Sequence, residues 1–239
     1  KIQKENDNAL VIVAPSDHWI EDENAFKKNV EQAFEFCKNN DALMTLGIVP
    51  TFPNTGYGYI EYNDSSKDDI KSVIQFREKP DYENAKKFIE QGNFLWNAGI
   101  FMWSVNSVIR AFKKHQLKLY ELFESGMTLY NTDEEDKFIL ENYANSNNIS
   151  IDYAIMEKAD NLQVMPFSDG WSDLGDWEAL RRITDKDEQG NALVGEATSV
   201  ECEGSLLWST TEGQELVGIG LENIIAVAMP DAVLVADRR

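Results

Sequence analysis

The sequence predicts an α/β body followed by a small β-rich segment, and three observations carry that expectation. First, Ala9-Leu-Val-Ile-Val-Ala14 and Ala42-Leu-Met-Thr-Leu-Gly-Ile48 are continuous apolar runs of strand length, the pattern of strands covered on both faces of a parallel sheet. Second, residues 22–38 between them place Phe26, Val30, Ala33, Phe34 and Cys37 on one helical stripe. Strand, helix, strand is a βαβ unit, which implies a right-handed crossover and a parallel pair. Third, helical periodicity fades after Asp185. Residues 191–236 are rich in Val, Ile and Leu, with Gly at 195, 204, 213, 218 and 220, as short strands and turns require. The boundary is expected near 186–190, dividing a body at 1–188 from a segment at 189–239.

The remaining elements follow in order. Pro15-Ser16-Asp17 ends the first strand and Asn39-Asn40-Asp41 breaks the helix. Residues 50–57 are a loop. Tyr59–Tyr62 and Ile70–Phe76 read as strands joined by the polar turn at 63–69. Asp81–Gln91 is a short helix with Ala85, Phe88 and Ile89 inward and Gly92 as its stop. A strand at Ile100–Trp103 precedes one helix over Val105–Phe123. The acidic run Asn131–Asp136 reads as a solvated helix start, because no turn glycine organises it into a metal loop. Ser150 caps a helix reaching Lys158. Leu162–Phe167 is a strand and Asp176–Ile183 a helix.

Composition excludes several functions. The 239 residues carry 22 Lys+Arg against 42 Asp+Glu, a net charge of −20. Nucleic acid and anionic membranes both need a cationic face, so neither is an expected partner. No apolar run approaches the roughly 20 residues that span a bilayer. Residues 1–7 are polar and lack a signal-peptide core, which points to the cytoplasm. Cys37 and Cys202, the only cysteines, are too few for a zinc site or a disulfide framework and read as buried thiols. Because the chain opens on Lys1 and enters a strand almost at once, it is read as part of something longer.

Side chains able to do chemistry gather at strand ends. Asp17 follows the first strand on the edge where open α/β sheets bind ligands, although a lone Asp there is commonly a cap. It gains meaning if a second carboxylate meets it, and Asp173, between a strand and a helix, is the candidate. Gly56-Tyr57-Gly58 is a loop that lets backbone approach a ligand. Glu78 and Lys79 are adjacent at a strand end and are expected to face opposite ways. Lys79 suits a phosphate and Glu78 a sugar hydroxyl. Asn97, in Trp96-Asn-Ala-Gly99, offers an amide for hydroxyl recognition. This set suits a phosphosugar site with one Mg²⁺ between two carboxylates.

Six motifs occur in order: Pro15-Ser-Asp-His18, Thr55-Gly-Tyr-Gly-Tyr-Ile60, Phe76-Arg-Glu-Lys-Pro80, Trp96-Asn-Ala-Gly-Ile-Phe101, Ser150-Ile-Asp-Tyr-Ala-Ile-Met-Glu-Lys158 and Trp171-Ser-Asp-Leu-Gly-Asp-Trp177. Over residues 9–239 the chain resembles the mannose-1-phosphate guanylyltransferase (GDP-mannose pyrophosphorylase) family of sugar nucleotidyltransferases. Relatives acting on dTDP- or UDP-sugars usually show Leu-Gly-Asp-Asn in place of Pro-Ser-Asp-His. The resemblance implies a Rossmann-like mixed sheet flanked by helices, N-terminally incomplete, with a β-helix-like end segment. It implies GTP and mannose 1-phosphate as substrates, and Mg²⁺ held by Asp17 and Asp173. By the same resemblance, Gly58, Glu78 and Asn97 position mannose, Lys79 contacts phosphate, and Asp152 and Glu157 lie on the sugar side. The family's Gly-rich loop with its Arg and Lys is not matched before Ala9, so the triphosphate half of the site is expected to be largely absent. A non-catalytic module binding a sugar phosphate or nucleotide sugar is the alternative. The oligomeric state stays open, a homodimer included.

Overall fold

A computed structural model describes residues 1–65 and 67–238; Ser66, within the expected turn at 63–69, lies outside the described residues. The chain packs into two units, one formed by residues 1–16 and 20–171 and the other by residues 17–19 and 172–239.

The chain opens with α1 (Ile2–Glu5) and β1 (Leu10–Val13), and a short β2 (Trp19–Ile20) leads to α2 (Glu23–Asn39). The α2 helix begins where the Asp22 carboxylate accepts the N–H groups of Asn24 and Ala25. Then come β3 (Leu43–Ile48), β4 (Tyr59–Tyr62), β5 (Lys71–Arg77), α3 (Tyr82–Gln91) and β6 (Phe94–Ser104). Asp81 caps α3, and Gly92 ends it in the left-handed region at φ 78°. Next are α4 (Val105–His115), α5 (Leu117–Glu124), α6 (Glu135–Tyr143), a π-helical turn at Asp152–Met156, β7 (Leu162–Phe167) and β8 (Trp171–Ser172).

Six strands form one mixed sheet in the order β1-β6-β3-β7-β5-β4, and β4 also pairs with β6. β3 and β7 are parallel; the other pairs are antiparallel. Every residue of β3 is buried. Its alternating side chains feed two cores. Met44, Leu46 and Ile48 pack with α2 and α3 residues, whereas Leu43 packs with Ala111, Ile155 and Met156 on the other face.

Five expectations are corrected here. β1 and β3 run in the same direction but are not a bonded pair, because β6 lies between them and is antiparallel to both. β1 therefore stands at a sheet edge, with Ile12 and Val13 exposed rather than covered on both faces. The expected helix over 105–123 is two helices, since Gln116 leaves helical geometry at φ −138°, ψ 53°. Its side-chain amide donates instead to the Ala154 carbonyl at 3.0 Å. The strand expected at 100–103 begins at Phe94, so Asn97 sits inside it. The 150–158 helix is a π-helical turn.

The second unit holds α7 (Trp177–Ile183), capped by Asp176, then β9 (Ala192–Gly195), β10 (Ala197–Val200), β11 (Leu206–Ser209), β12 (Leu216–Ile219), β13 (Ile224–Ala228) and β14 (Val233–Asp237). β9, β11 and β13 stack in parallel, as do β10 and β12, giving a β-helix-like coil of short strands. β14 closes against β13 in antiparallel fashion. Ala192, Leu206, Ile225 and Val227 fill the coil, and Trp177 meets Trp208 edge-on at 5.7 Å. The fully buried Asn191 amide ties the coil's corner. It donates to the Cys202 carbonyl at 2.8 Å and to Asp187 at 3.0 Å, and it accepts the Ser205 N–H at 3.0 Å. Both cysteines are buried free thiols, and burial pushes the Cys37 thiol up to about 11.

Candidate active site

Asn97 is the hub of the cluster in the first unit. Between the paired positions Thr45↔Phe101 and Gly47↔Asn97, β6 carries two more residues than β3. This bulge turns on Gly99, whose φ of +69° suits glycine. The distortion brings the Gly99 N–H onto Asn97 Oδ1 at 3.2 Å. Thr45 Oγ1 donates to the same oxygen at 3.0 Å. With its oxygen so engaged, Asn97 presents Nδ2 to Asp152 Oδ1 at 3.1 Å.

Asp152 is delivered by the π-helical turn, which Gln116 holds through the Ala154 carbonyl. Glu78 approaches from the end of β5, beside Gly58. The Asn97 N–H donates to the Gly58 carbonyl at 2.8 Å. A Cβ on Gly58 would lie 2.5 Å from Glu78 Oε2, so any larger residue would push the carboxylate away from the loop. Glu78, Lys79, Ser150, Asp152 and Tyr153 line a cavity of about 550 Å³.

Two carboxylates in one half-buried place disfavour joint ionisation. Burial pushes Glu78 above the ordinary carboxylate range, the charges of Asp152 and Glu157 push it further, and Lys79 opposes them. Asp152 is raised by burial too, against the Asn97 hydrogen bond and the Lys79 charge. Lys79 corrects an expectation. It does not face away from Glu78, because it has left the strand at φ +45°, and its ammonium lies 3.8 Å from the Glu78 carboxylate. The Lys79 side chain is 61% exposed against 11% for Glu78, so the cation is available to a ligand while the anion is sheltered.

The structure thus brings together Gly58, Glu78, Lys79, Asn97 and Asp152, with Glu157 at the exposed end of the π-helical turn and within electrostatic reach of Glu78. Gly56 and Tyr57 lie just before Gly58. The Gly56 N–H is held by Asn54 at 2.7 Å, and the Tyr57 ring packs edge-on against Trp96 and Trp171. Sequence reasoning passed over Thr45. Its signal was a lone hydroxyl in the otherwise apolar run Leu43–Ile48.

Asp17 and Asp173 belong to the second unit. Asp17 is exposed and Asp173 half-buried, and Asp173 Oδ1 accepts the Gly175 N–H at 3.2 Å, which orients its carboxylate. Among the described residues no group of three or more His, Cys, Asp or Glu side chains could hold a metal ion. Asp17 and Asp173 are each a hard oxygen donor of the kind Mg²⁺ takes, one or two at a time, with substrate phosphates and water completing its shell.

A mixed six-stranded sheet with helices on both faces and this anion-and-amide cluster defines an α/β protein. Residues 1–190 match the nucleotidyl transferase family, and the chain belongs to it. Over 238 residues it is 36% identical to the mannose-1-phosphate guanylyltransferase RfbM of Salmonella typhimurium, covering 98% of this chain and 48% of that protein. It is 35% identical to the xanthan biosynthesis protein XanB of Xanthomonas campestris pv. campestris, covering 96% of this chain and 48% of that one. The chain therefore spans about half the length of these relatives. The fold is similar to that of a solved structure from Thermus thermophilus, described as a mannose-1-phosphate geranyltransferase, with TM-score 0.86 and 27% identity. That match covers 99% of this chain and 68% of the other. Among the described residues no helix is long and apolar enough to cross a membrane.

Proposed function

We propose that the protein forms GDP-mannose and pyrophosphate from GTP and mannose 1-phosphate, as a cytoplasmic step in making nucleotide-sugar and polysaccharide precursors. The observation that carries this reading is the Asn97 amide locked between Thr45, Gly99 and Asp152 beside Glu78 and Lys79. Carboxylates and an oriented amide recognise sugar hydroxyls, and an adjacent exposed ammonium suits a phosphate. The nucleotidyltransferase domain is assigned to residues 1–188 and the β-helix-like segment to 189–239.

In the proposed reaction a phosphate oxygen of mannose 1-phosphate attacks the α-phosphorus of GTP in line. An O–P bond forms, the bond to the β-phosphate oxygen breaks, and pyrophosphate leaves. The nucleophile is already ionised at pH 7, so no general base is needed. Two unit charges held 4 Å apart repel by about 4 kcal/mol at an effective dielectric of about 20. Lys79 offsets part of that repulsion at the sugar phosphate, while Glu78, Asn97 and Asp152 fix the mannose ring. Asp17 and Asp173 would hold Mg²⁺, which when bound neutralises phosphate charge. Catalysis is then positioning and charge stabilisation.

The test is pyrophosphate release from GTP and mannose 1-phosphate, with and without Mg²⁺, for the protein and for Asp173→Asn. Mg²⁺-dependent release that Asp173→Asn abolishes is the expected result. Full activity in Asp173→Asn would remove that residue's role, and a product independent of mannose 1-phosphate would remove the function.

A further inference from the structure

Thr45 lies in the middle of β3 with no exposed surface, flanked along the strand by Met44 and Leu46. A hydroxyl buried without a partner is costly, and valine has nearly the same shape, so packing alone gives no reason for threonine here. What the hydroxyl does is local. Its one proton goes to Asn97 Oδ1 at 3.0 Å, with the Ile100 carbonyl a longer second acceptor at 3.4 Å across the bulge in β6.

The bond joins the Gly99 N–H in fixing the Asn97 amide. Oδ1 receives the Gly99 N–H and the Thr45 hydroxyl, so Nδ2 must face the Asp152 carboxylate. Flipping the amide would set Nδ2 against the Gly99 N–H and Oδ1 against a carboxylate oxygen, donor on donor and acceptor on acceptor. One Nδ2 hydrogen is spent on Asp152, and the other has no acceptor among the described residues.

We infer that Thr45 is a positioning residue for substrate, setting the Asn97 carboxamide so that its remaining N–H meets a hydroxyl of the bound sugar phosphate. This role rests on the reading of the cluster as a mannose 1-phosphate site. Thr45 touches no substrate; it acts through Asn97.

The experiment is calorimetric titration of the protein, Thr45→Val and Thr45→Ser with mannose 1-phosphate and its monodeoxy analogues. Loss of one buried hydrogen bond should weaken mannose 1-phosphate binding by about five- to tenfold in Thr45→Val. Thr45→Ser should rescue binding to within about twofold, because the hydroxyl is restored. One deoxy analogue, lacking the hydroxyl that meets Asn97, should bind the parent and Thr45→Val alike. A merely structural residue would not produce that selective loss. Should Thr45→Val fail to fold, Thr45→Ala removes the same hydroxyl without adding bulk, and the same affinities apply. Equal affinity of parent and hydroxyl-less variant overturns the inference, and so does a gap that persists with every deoxy analogue. If the parent binds neither mannose 1-phosphate nor GDP-mannose, the functional reading itself fails and this role falls with it.

Discussion

Replacing Gly58 by alanine adds one methyl group at the tightest point of the cluster. Its Cβ would lie 2.5 Å from Glu78 Oε2, 3.3 Å from Phe76 Cζ and 3.4 Å from Asn97 Cβ. Contacts of a real Cβ below 3.0 Å are essentially never found, so the carboxylate gap must open by at least 0.5 Å. Phe76 and Asn97 are held within strands of the sheet, whereas the Glu78 carboxylate ends a flexible side chain. Glu78 therefore yields. The Gly58 backbone is outside the left-handed region, so the effect is steric rather than conformational. Because the group that moves is flexible, the stability cost should sit at the low end of overpacking, about 1 kcal/mol. For a chain of this size that lowers the melting temperature by about 2–4 °C. Binding should suffer more, since a displaced carboxylate loses a charged hydrogen bond of about 1.5–3 kcal/mol, roughly ten- to hundredfold in affinity. Calorimetry with mannose 1-phosphate, alongside a thermal melt, reads both quantities. Unchanged affinity at an unchanged melting temperature would refute the placement of Glu78 against Gly58.

Two further outcomes are expected. Burial and the Asp152 charge raise Glu78, so the folded protein holds that proton more tightly than the unfolded chain does. The ionised form is therefore penalised above the folded-state pKa, and the penalty disappears as pH falls below the unfolded value. Glu78→Gln should accordingly raise the melting temperature at pH 7 while weakening sugar-phosphate binding, and its thermal advantage should shrink towards about pH 4. A pH-independent advantage would contradict the assignment of cause. In the second unit, Asn191→Ala strips the Cys202 carbonyl and the Ser205 N–H of their buried partners and should destabilise the coil by about 2–4 kcal/mol, read by chemical denaturation. A loss under about 0.5 kcal/mol would mean that water replaces the amide.

Where local patterning decides the structure, the sequence was legible. The α2 stripe, the Asp81 and Gly92 ends of α3, and the short strands after residue 190 all follow from side-chain period and turn chemistry. Six ordered motifs also exposed the residues of the cluster. What stayed hidden depends on pairing between distant segments. An apolar run such as Leu10–Val13 reads as an inner strand, yet insertion of β6 beside it leaves it at an edge. Adjacent residues in a regular strand diverge, but Lys79 turns back because its own φ has left the strand region. The helical period runs unbroken through Gln116, and only the distant Ala154 carbonyl gives its side chain a reason to stop the helix. Thr45 escaped notice for the same cause, since its partner is 52 positions away.

The most direct measurement is equilibrium binding of mannose 1-phosphate to the protein and to the double variant Glu78→Gln with Asn97→Ala. The sugar-phosphate reading expects saturable one-to-one binding by the parent and a loss of at least about tenfold in the double variant, one hydrogen-bonding group being removed and one charged acceptor neutralised. Binding of equal strength in both proteins would contradict it.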